Sequence, residues 1–138
     1  MNFDHIDHFV LTVKNADVSA KFYHDVLGMD ILEFENGRKA ASFGNQKINF
    51  QEVGHEIDPK AAVPTCGAGD FCIITKTPLK QVVISLDHAN IPVELGPVSR
   101  SGAVGKVQSV YLRDPDYNLI EISNYESSGQ GLEIKKWN

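Results

Sequence analysis

The chain repeats itself. His8-Phe9-Val10-Leu11-Thr12-Val13-Lys14-Asn15 lines up with Asp70-Phe71-Cys72-Ile73-Ile74-Thr75-Lys76-Thr77. Further on, Ile48-Asn49-Phe50-Gln51-Glu52-Val53 lines up with Asn118-Leu119-Ile120-Glu121-Ile122-Ser123. A repeat this long restricts the fold to two similar modules packed about a pseudo-two-fold axis. The 138 residues suit one domain with a real core. We place module 1 at 4–53, a linker at 54–69, module 2 at 70–125 and a tail at 126–138.

Each half reads strand, helix, strand, strand, strand. Ile6–Val13 is β-branched and aromatic-rich, and alternation puts Phe9, Leu11 and Val13 on one face with His8, Val10 and Thr12 on the other. Asn15 or Asp17 can cap a helix carrying Val18, Phe22 and Val26 at helical spacing, with Tyr23 and Leu27 beside them, and Gly28 ends it. Met29–Phe34, Ala40–Phe43 and Lys47–Glu52 read as short strands joined by turns at Asn36-Gly37 and Gly44-Asn45. Val53 to Gly69 has glycines and prolines and little periodicity, so it reads as a long loop.

The second half opens with the strand Asp70–Thr75. Thr77 as cap and Pro78 at the first helical position start a helix with Leu79, Val82, Val83 and Leu86 on one stripe. Val93–Leu95 is a short strand, Gly96 to Gly105 a glycine-rich loop, and Val107–Leu112 and Asn118–Ser123 the last strands. Asp114-Pro115-Asp116 with Asn118 is turn chemistry, because Pro presets φ and Asp and Asn bond their own backbone. The tail is polar except for Leu132, Ile134 and Trp137.

Composition excludes several classes. The net charge of −5, with both signs interspersed, argues against nucleic acid or an anionic membrane as partner. No apolar run approaches the ~20 residues that span a bilayer. The N-terminus has neither a basic n-region nor an h-region, and two cysteines are too few for a disulfide framework. A cytoplasmic location is the expectation.

The chemistry gathers at the repeat. Glu121 lies in the apolar run Leu119-Ile120-Glu121-Ile122, where a bare carboxylate is too costly to leave without a cation or a hydrogen bond. Its counterpart is Gln51, and the first strands offer His8 and Asp70 at equivalent positions. Two-fold packing would bring all four toward the axis. Imidazole, amide oxygen and two carboxylates form a mixed N/O set suited to Ni, Zn, Mn, Co or Fe, with coordination sites left for substrate.

Three segments carry a family resemblance: Ile6–Val13, Phe22-Tyr23-His24-Asp25-Val26-Leu27-Gly28 and Asp114-Pro115-Asp116-Tyr117-Asn118-Leu119-Ile120-Glu121. With them the chain resembles the vicinal oxygen chelate superfamily of glyoxalase I, extradiol dioxygenases and fosfomycin and bleomycin resistance proteins. Lys47–Gly54, Pro59–Ala62 and Gly96–Ala103 make it look most like a glyoxalase-I-like subgroup that includes bacterial virulence proteins. The resemblance implies an α+β fold, two βαβββ modules forming a cup-shaped mixed sheet with helices outside. It maps metal ligands onto His8, Gln51, Asp70 and Glu121, and it implies a homodimer. Two departures stand out: Asp70 where glyoxalase I often has His, and Tyr117 in place of the usual turn Gly.

These features lead to a metal-dependent glyoxalase-I-like lyase or isomerase acting on a small oxygenated carbonyl compound or its thiol adduct. Glu121 is the candidate for proton transfer, because Gln51 cannot act as a base. Arg100 is placed to hold an anionic substrate group and Tyr111 to line the site. The alternatives are a metal-free small-molecule or antibiotic-binding protein and, less favoured because the quartet offers one His where such enzymes use two, an extradiol-type dioxygenase.

Overall fold

The computed structural model describes residues 1–126 and 135–137. Leu132 and Ile134, read as apolar points of the tail, lie outside them, and Trp137 is almost fully exposed. The chain divides into two compact units. One holds Met1–Gly69 together with Asp114–Asn118; the other holds Asp70–Arg113 and the chain from Leu119 onward.

The first unit contains β1 (His8–Val13), α1 (Ala16–Asp25), β2 (Asp30–Phe34), β3 (Arg38–Phe43) and β4 (Gln46–Glu52). Its sheet runs β1-β4-β3-β2, with β1 parallel to β4 and the other pairs antiparallel. Asn15 caps α1 by accepting from the Val18 N–H at 3.1 Å. The β2–β3 turn has both Asn36 and Gly37 at positive φ, 58° and 78°, as its Asn-Gly sequence demands. α1 packs on the face carrying Ile48 and Phe50, where the Tyr23 and Phe50 rings meet at 5.1 Å.

The stripe expected to face the core from α1 is corrected. Tyr23 is buried as expected, but Val18 is half exposed, and Ser19 and Ala20 are the other buried residues. The reason is polar. The 114–118 turn brings buried Asp114 and Asp116 to this helix, and hydroxyls are what those carboxylates need. Tyr23 Oη donates to Asp114 Oδ2 at 2.7 Å and Ser19 Oγ to Asp116 Oδ2 at 3.4 Å.

The second unit repeats the order: β5 (Asp70–Ile74), α2 (Leu79–His88), β6 (Leu95–Ser101), β7 (Lys106–Arg113) and β8 (Leu119–Tyr125), with sheet order β5-β8-β7-β6. The α+β class and the paired βαβββ modules are therefore present. α2 buries Leu79 and Leu86 against the Val110, Leu112, Ile120 and Ile122 side of the sheet.

Two local expectations fail here. Thr77 does not cap α2. Asn124 of β8 does, its Oδ1 accepting from Leu79 N at 2.8 Å while its Nδ2 donates to Thr75 O and Thr77 O. Gly96 to Ser101 is not loop but β6, paired antiparallel with β7 across a register shift between Leu95 and Val98. Gly96, at φ 117°, fits there because a Cβ would collide with the Ser109 carbonyl oxygen. Among the described residues no helix is long and apolar enough to cross a membrane.

Candidate functional site

Strand alternation assigns each candidate a face. In the second unit, Cys72 of β5, Glu121 of β8 and Tyr111 of β7 form one rung, since Cys72 opposes Glu121 and Tyr111 opposes Glu121. The next rung holds Ser123 opposite Ser109. All of these side chains point to the face away from α2.

Here Glu121 finds its partners. Ser109 Oγ donates to Glu121 Oε2 at 2.6 Å and Ser123 Oγ to the same oxygen at 3.3 Å. The two serine hydroxyls are 2.6 Å apart, and Cys72 Sγ lies 3.2 Å from Ser123 Oγ. Both serines are fully buried while Glu121 is only half-buried. A half-buried carboxylate held by short hydroxyl bonds can accept a proton or a cation. Burial, then the nearby Glu121 charge, pushes the Cys72 thiol up despite the Ser123 hydrogen bond, so it stays protonated and does not act as a nucleophile.

Arg100 and Tyr111 meet each other, and Arg100 sits on strand β6 rather than in a loop. Arg100 Nε donates to Tyr111 Oη at 3.1 Å, its guanidinium lies 5.5 Å from the ring centroid, and Nη1 donates to the Ser99 carbonyl. The pair therefore stands beside Glu121 with a fixed cation. Burial pushes the Tyr111 phenol above its ordinary value. Asp70 is exposed and shares this face. It lies two residues before Cys72, so it is diagonal to Glu121, about 7 Å away along the strands. Arg113 is bound to Glu94 through Nε and Nη2 at 2.9 and 3.1 Å.

In the first unit, His8, Val10 and Thr12 share the face away from α1 with Lys47, Asn49 and Gln51. Thr12 opposes Gln51 and His8 opposes Lys47. This register is two residues out of step with the alignment of the repeats, which equates Val10 with Cys72. The two-residue step leaves every side chain on its expected face. It also puts four residues, about 13 Å of strand, between His8 and the rung of Gln51.

His8 Nδ1 is 2.7 Å from Asp7 Oδ2, and the imidazole hydrogen bond holds the Asp7 carboxyl below its usual range. A carboxylate on one ring nitrogen is the arrangement that fixes a histidine's tautomer and turns the other nitrogen outward as a donor to a metal. Gln51 Oε1 accepts from the Ile57 N–H at 3.3 Å. A cavity of about 280 Å³ lies at this end of the sheet, with Gln51, Arg38, Lys39, Glu52 and His55 in its wall. Lys39 is engaged with Asp17 at 2.9 Å, and Glu52 accepts from the Ala16 N–H at the start of α1.

Among the described residues, no three His, Cys, Asp or Glu side chains gather as ligands within either unit. Of the residues read from the sequence as ligands, Asp70 and Glu121 share one face of the second unit's sheet, and His8 and Gln51 share one face of the first unit's sheet two rungs apart. Sequence reading missed Ser109 and Ser123, which hold Glu121. Their signal was their even spacing from Tyr111 and from Glu121 on adjoining strands.

A family model described as Glyoxalase/Bleomycin resistance protein/Dioxygenase superfamily matches residues 5–122. The virulence protein STM3117 of Salmonella typhimurium is 49% identical over 125 residues, covering 91% of this chain and 87% of its own length. The crystal structure of virulence protein STM3117 matches with a TM-score of 0.89 at 48% identity, covering 91% of this chain and 100% of the other. The glyoxalase domain-containing protein RDO1 of Mycosarcoma maydis is 44% identical over 123 residues, 89% of this chain and 69% of its own. A probable lactoylglutathione lyase of Vibrio parahaemolyticus is 25% identical over 138 residues, 91% of this chain and 94% of its own. The chain belongs to the glyoxalase/bleomycin resistance protein/dioxygenase superfamily.

Proposed function

We propose that this protein is a metal-dependent glyoxalase-I-like lyase or isomerase, acting on a small oxygenated carbonyl compound or its thiol adduct. The observation that carries the reading is Glu121, anchored by the Ser109 hydroxyl at 2.6 Å and flanked by Tyr111 and Arg100 on one sheet face. The sequence likeness to a probable lactoylglutathione lyase supports it.

His8, Gln51, Asp70 and Glu121 are the residues that would hold a divalent ion. When bound, such an ion supplies Lewis acidity to substrate oxygens. Glu121 takes the proton from the carbon next to the carbonyl and returns it to the neighbouring carbon, so the substrate isomerises with no net loss of atoms. Ser109 and Ser123 keep the carboxylate aimed at that carbon. Arg100 orients an anionic group of the substrate, and Tyr111 holds Arg100 in place. We also propose a cytoplasmic homodimer.

The test is a thioester-forming assay on protein loaded in turn with Ni, Zn, Mn, Co and Fe(II), the last under anaerobic conditions. The substrates are hemithioacetals of methylglyoxal with glutathione and with smaller thiols. Turnover that falls at least about a hundredfold in Glu121→Gln supports the reading. No turnover with any metal, together with metal uptake in calorimetry that is unchanged in the double variant His8→Ala, Glu121→Ala, overturns it.

A further inference from the structure

Each sheet ends in an antiparallel edge, β2 in the first unit and β6 in the second. An open edge presents unpaired backbone N–H and C=O groups, and proline, bulges and cationic side chains are what keep a second strand away from it. β6 has all three: Pro97, a register shift between Leu95 and Val98, and Arg100. β2, Asp-Ile-Leu-Glu-Phe, has none of them, and Leu32 at its centre is 44% exposed.

The charges around β2 are also incomplete. Asp30, Leu32 and Phe34 share the face away from α1, since Leu32 opposes Ala40 and Ala40 opposes Asn49. Two cations lie over the Phe34 ring, the Lys47 ammonium at 4.1 Å and the Arg38 guanidinium at 4.9 Å. The Arg38 side chain is 29% exposed, and the Glu35 carboxylate stands off from it at 3.8 Å, too far for a hydrogen bond. Among the described residues the Arg38 guanidinium donates no hydrogen bond, and the Asp30 carboxylate has neither a hydrogen bond nor an ion pair. Unmade donors on a largely buried charged group call for an acceptor.

We propose that β2 is a docking edge for β2 of a second copy of this chain, run antiparallel about a two-fold axis at Leu32. In that register Leu32 opposes Leu32 of the second copy, and Asp30 of each copy opposes Phe34 of the other. Two strand spacings, about 10 Å, separate Arg38 from that Asp30. The Arg38 side chain already lies across the intervening ring. Each pair of cations therefore gains a carboxylate, and the symmetry makes the exchange twice. On the opposite face Ile31 meets Glu33 of the second copy, while each Glu33 keeps its own Lys39 at 4.0 Å. A pair of five-residue strands is smaller than a standard interface, so the association is of roughly micromolar strength. The inference names the surface of the homodimer proposed above, and rests on that reading only in taking the occupant to be a second copy.

The experiment is sedimentation velocity of the full chain between about 1 and 200 µM, at low and at moderate salt. Wild type should pass from monomer to dimer in that range, more weakly at the higher salt, and amide exchange at Ile31 and Glu33 should slow as the concentration rises. Leu32→Lys and Asp30→Lys should each weaken the dimer at least about tenfold, since one puts a cation on the axis and the other sets a cation against Arg38 and Lys47. Ile84→Lys, at an exposed position of α2, is the control and should leave it unchanged. Circular dichroism verifies that each variant folds; if Leu32→Lys does not, Asp30→Lys decides. A dimer as strong in the edge variants as in wild type, or weakened equally by Ile84→Lys, overturns the inference and leaves the homodimer standing. A chain that stays monomeric throughout overturns both. The thioester assay reads the proposed reaction separately, so its result moves neither.

Discussion

The Tyr23 hydroxyl donates to Asp114 Oδ2 at 2.7 Å, joining the middle of α1 to a turn more than ninety residues later in the chain. Asp114 is 4% exposed and satisfied on every side: its Oδ1 accepts from the Asp116 and Asn118 N–H groups at 2.8 and 3.0 Å, and its Oδ2 also from Asn118 Nδ2 at 2.9 Å. The carboxylate is thus the centre of the turn. Tyr23→Phe removes one donor from a buried charged acceptor that keeps three others. The expected loss is about 1–3 kcal/mol of unfolding free energy, read from urea denaturation with an unchanged m-value. Asp114→Ala removes the acceptor from all four donors and should cost more than Tyr23→Phe. A Tyr23→Phe variant as stable as wild type would show that the bond contributes nothing net.

The same bond sets a pH dependence. Burial first, and the Asp114 carboxylate second, push the Tyr23 phenol far above its ordinary value. A folded value above the unfolded one means stability that is complete below pH ~10 and falls as pH rises, since the unfolded tyrosine gives up its proton first. The Tyr23 contribution to the slope approaches about 1.4 kcal/mol per pH unit above pH ~10. Urea titrations between pH 8 and 11 on wild type and Tyr23→Phe should diverge below pH 10 by a constant amount and converge above it. Parallel curves across the whole range would contradict this.

Asn124 caps α2 from a strand 45 residues away, where Pro78 offers no side-chain acceptor of its own. Asn124→Ala leaves the Leu79 N–H and the Thr75 and Thr77 carbonyls without this partner. The expected loss is about 1–2 kcal/mol, with faster amide exchange confined to the first turn of α2. Thr77→Ala, the substitution that sequence alone would pick as the uncapping one, should change stability by no more than about 0.5 kcal/mol.

That contrast shows where the sequence was legible. Local signals were read well. Asn36-Gly37 forms a turn with two positive φ angles, Asn15 caps α1, and the strands bearing His8, Gln51, Asp70 and Glu121 occur where period-2 alternation put them. The repeat gave the order of elements in both units. What failed was set by distant partners. Ser19 is buried because Asp116 meets it, and the bond from Tyr23 to Asp114 runs to a turn far along the chain; no helical stripe of apolar residues could indicate either partner. Gly96, Pro97 and two serines read as loop, yet backbone pairing with β7 makes that stretch an edge strand, where proline is tolerated. The register of β1 on β4 is likewise a tertiary outcome: a two-residue step keeps the faces and changes which residues are neighbours. Ser109 lies twelve residues before Glu121 and becomes its closest hydrogen-bond donor only when β7 folds back on β8.

Gly96 provides the sharpest test of the corrected strand. Its φ of 117° lies in a region that side chains rarely adopt, and an added Cβ would meet the Ser109 carbonyl oxygen, the Val110 Cα at 3.0 Å and the Val110 Cγ1 at 3.2 Å. The backbone cost falls on β6 and the collision on β7, which carries Ser109 and Tyr111. Gly96→Ala should therefore destabilise by about 2–4 kcal/mol, a sum of strain and displaced packing. It should also disturb the site, because a shift of Ser109 lengthens its 2.6 Å bond to Glu121. Ser99→Ala, on the same strand with its side chain on the other face from Arg100, is the control and should leave both stability and ligand response near wild type. If the 96–101 stretch were a loose loop, Gly96→Ala would behave like the control, with amide exchange at Val98 and Arg100 as fast as at the exposed Val104.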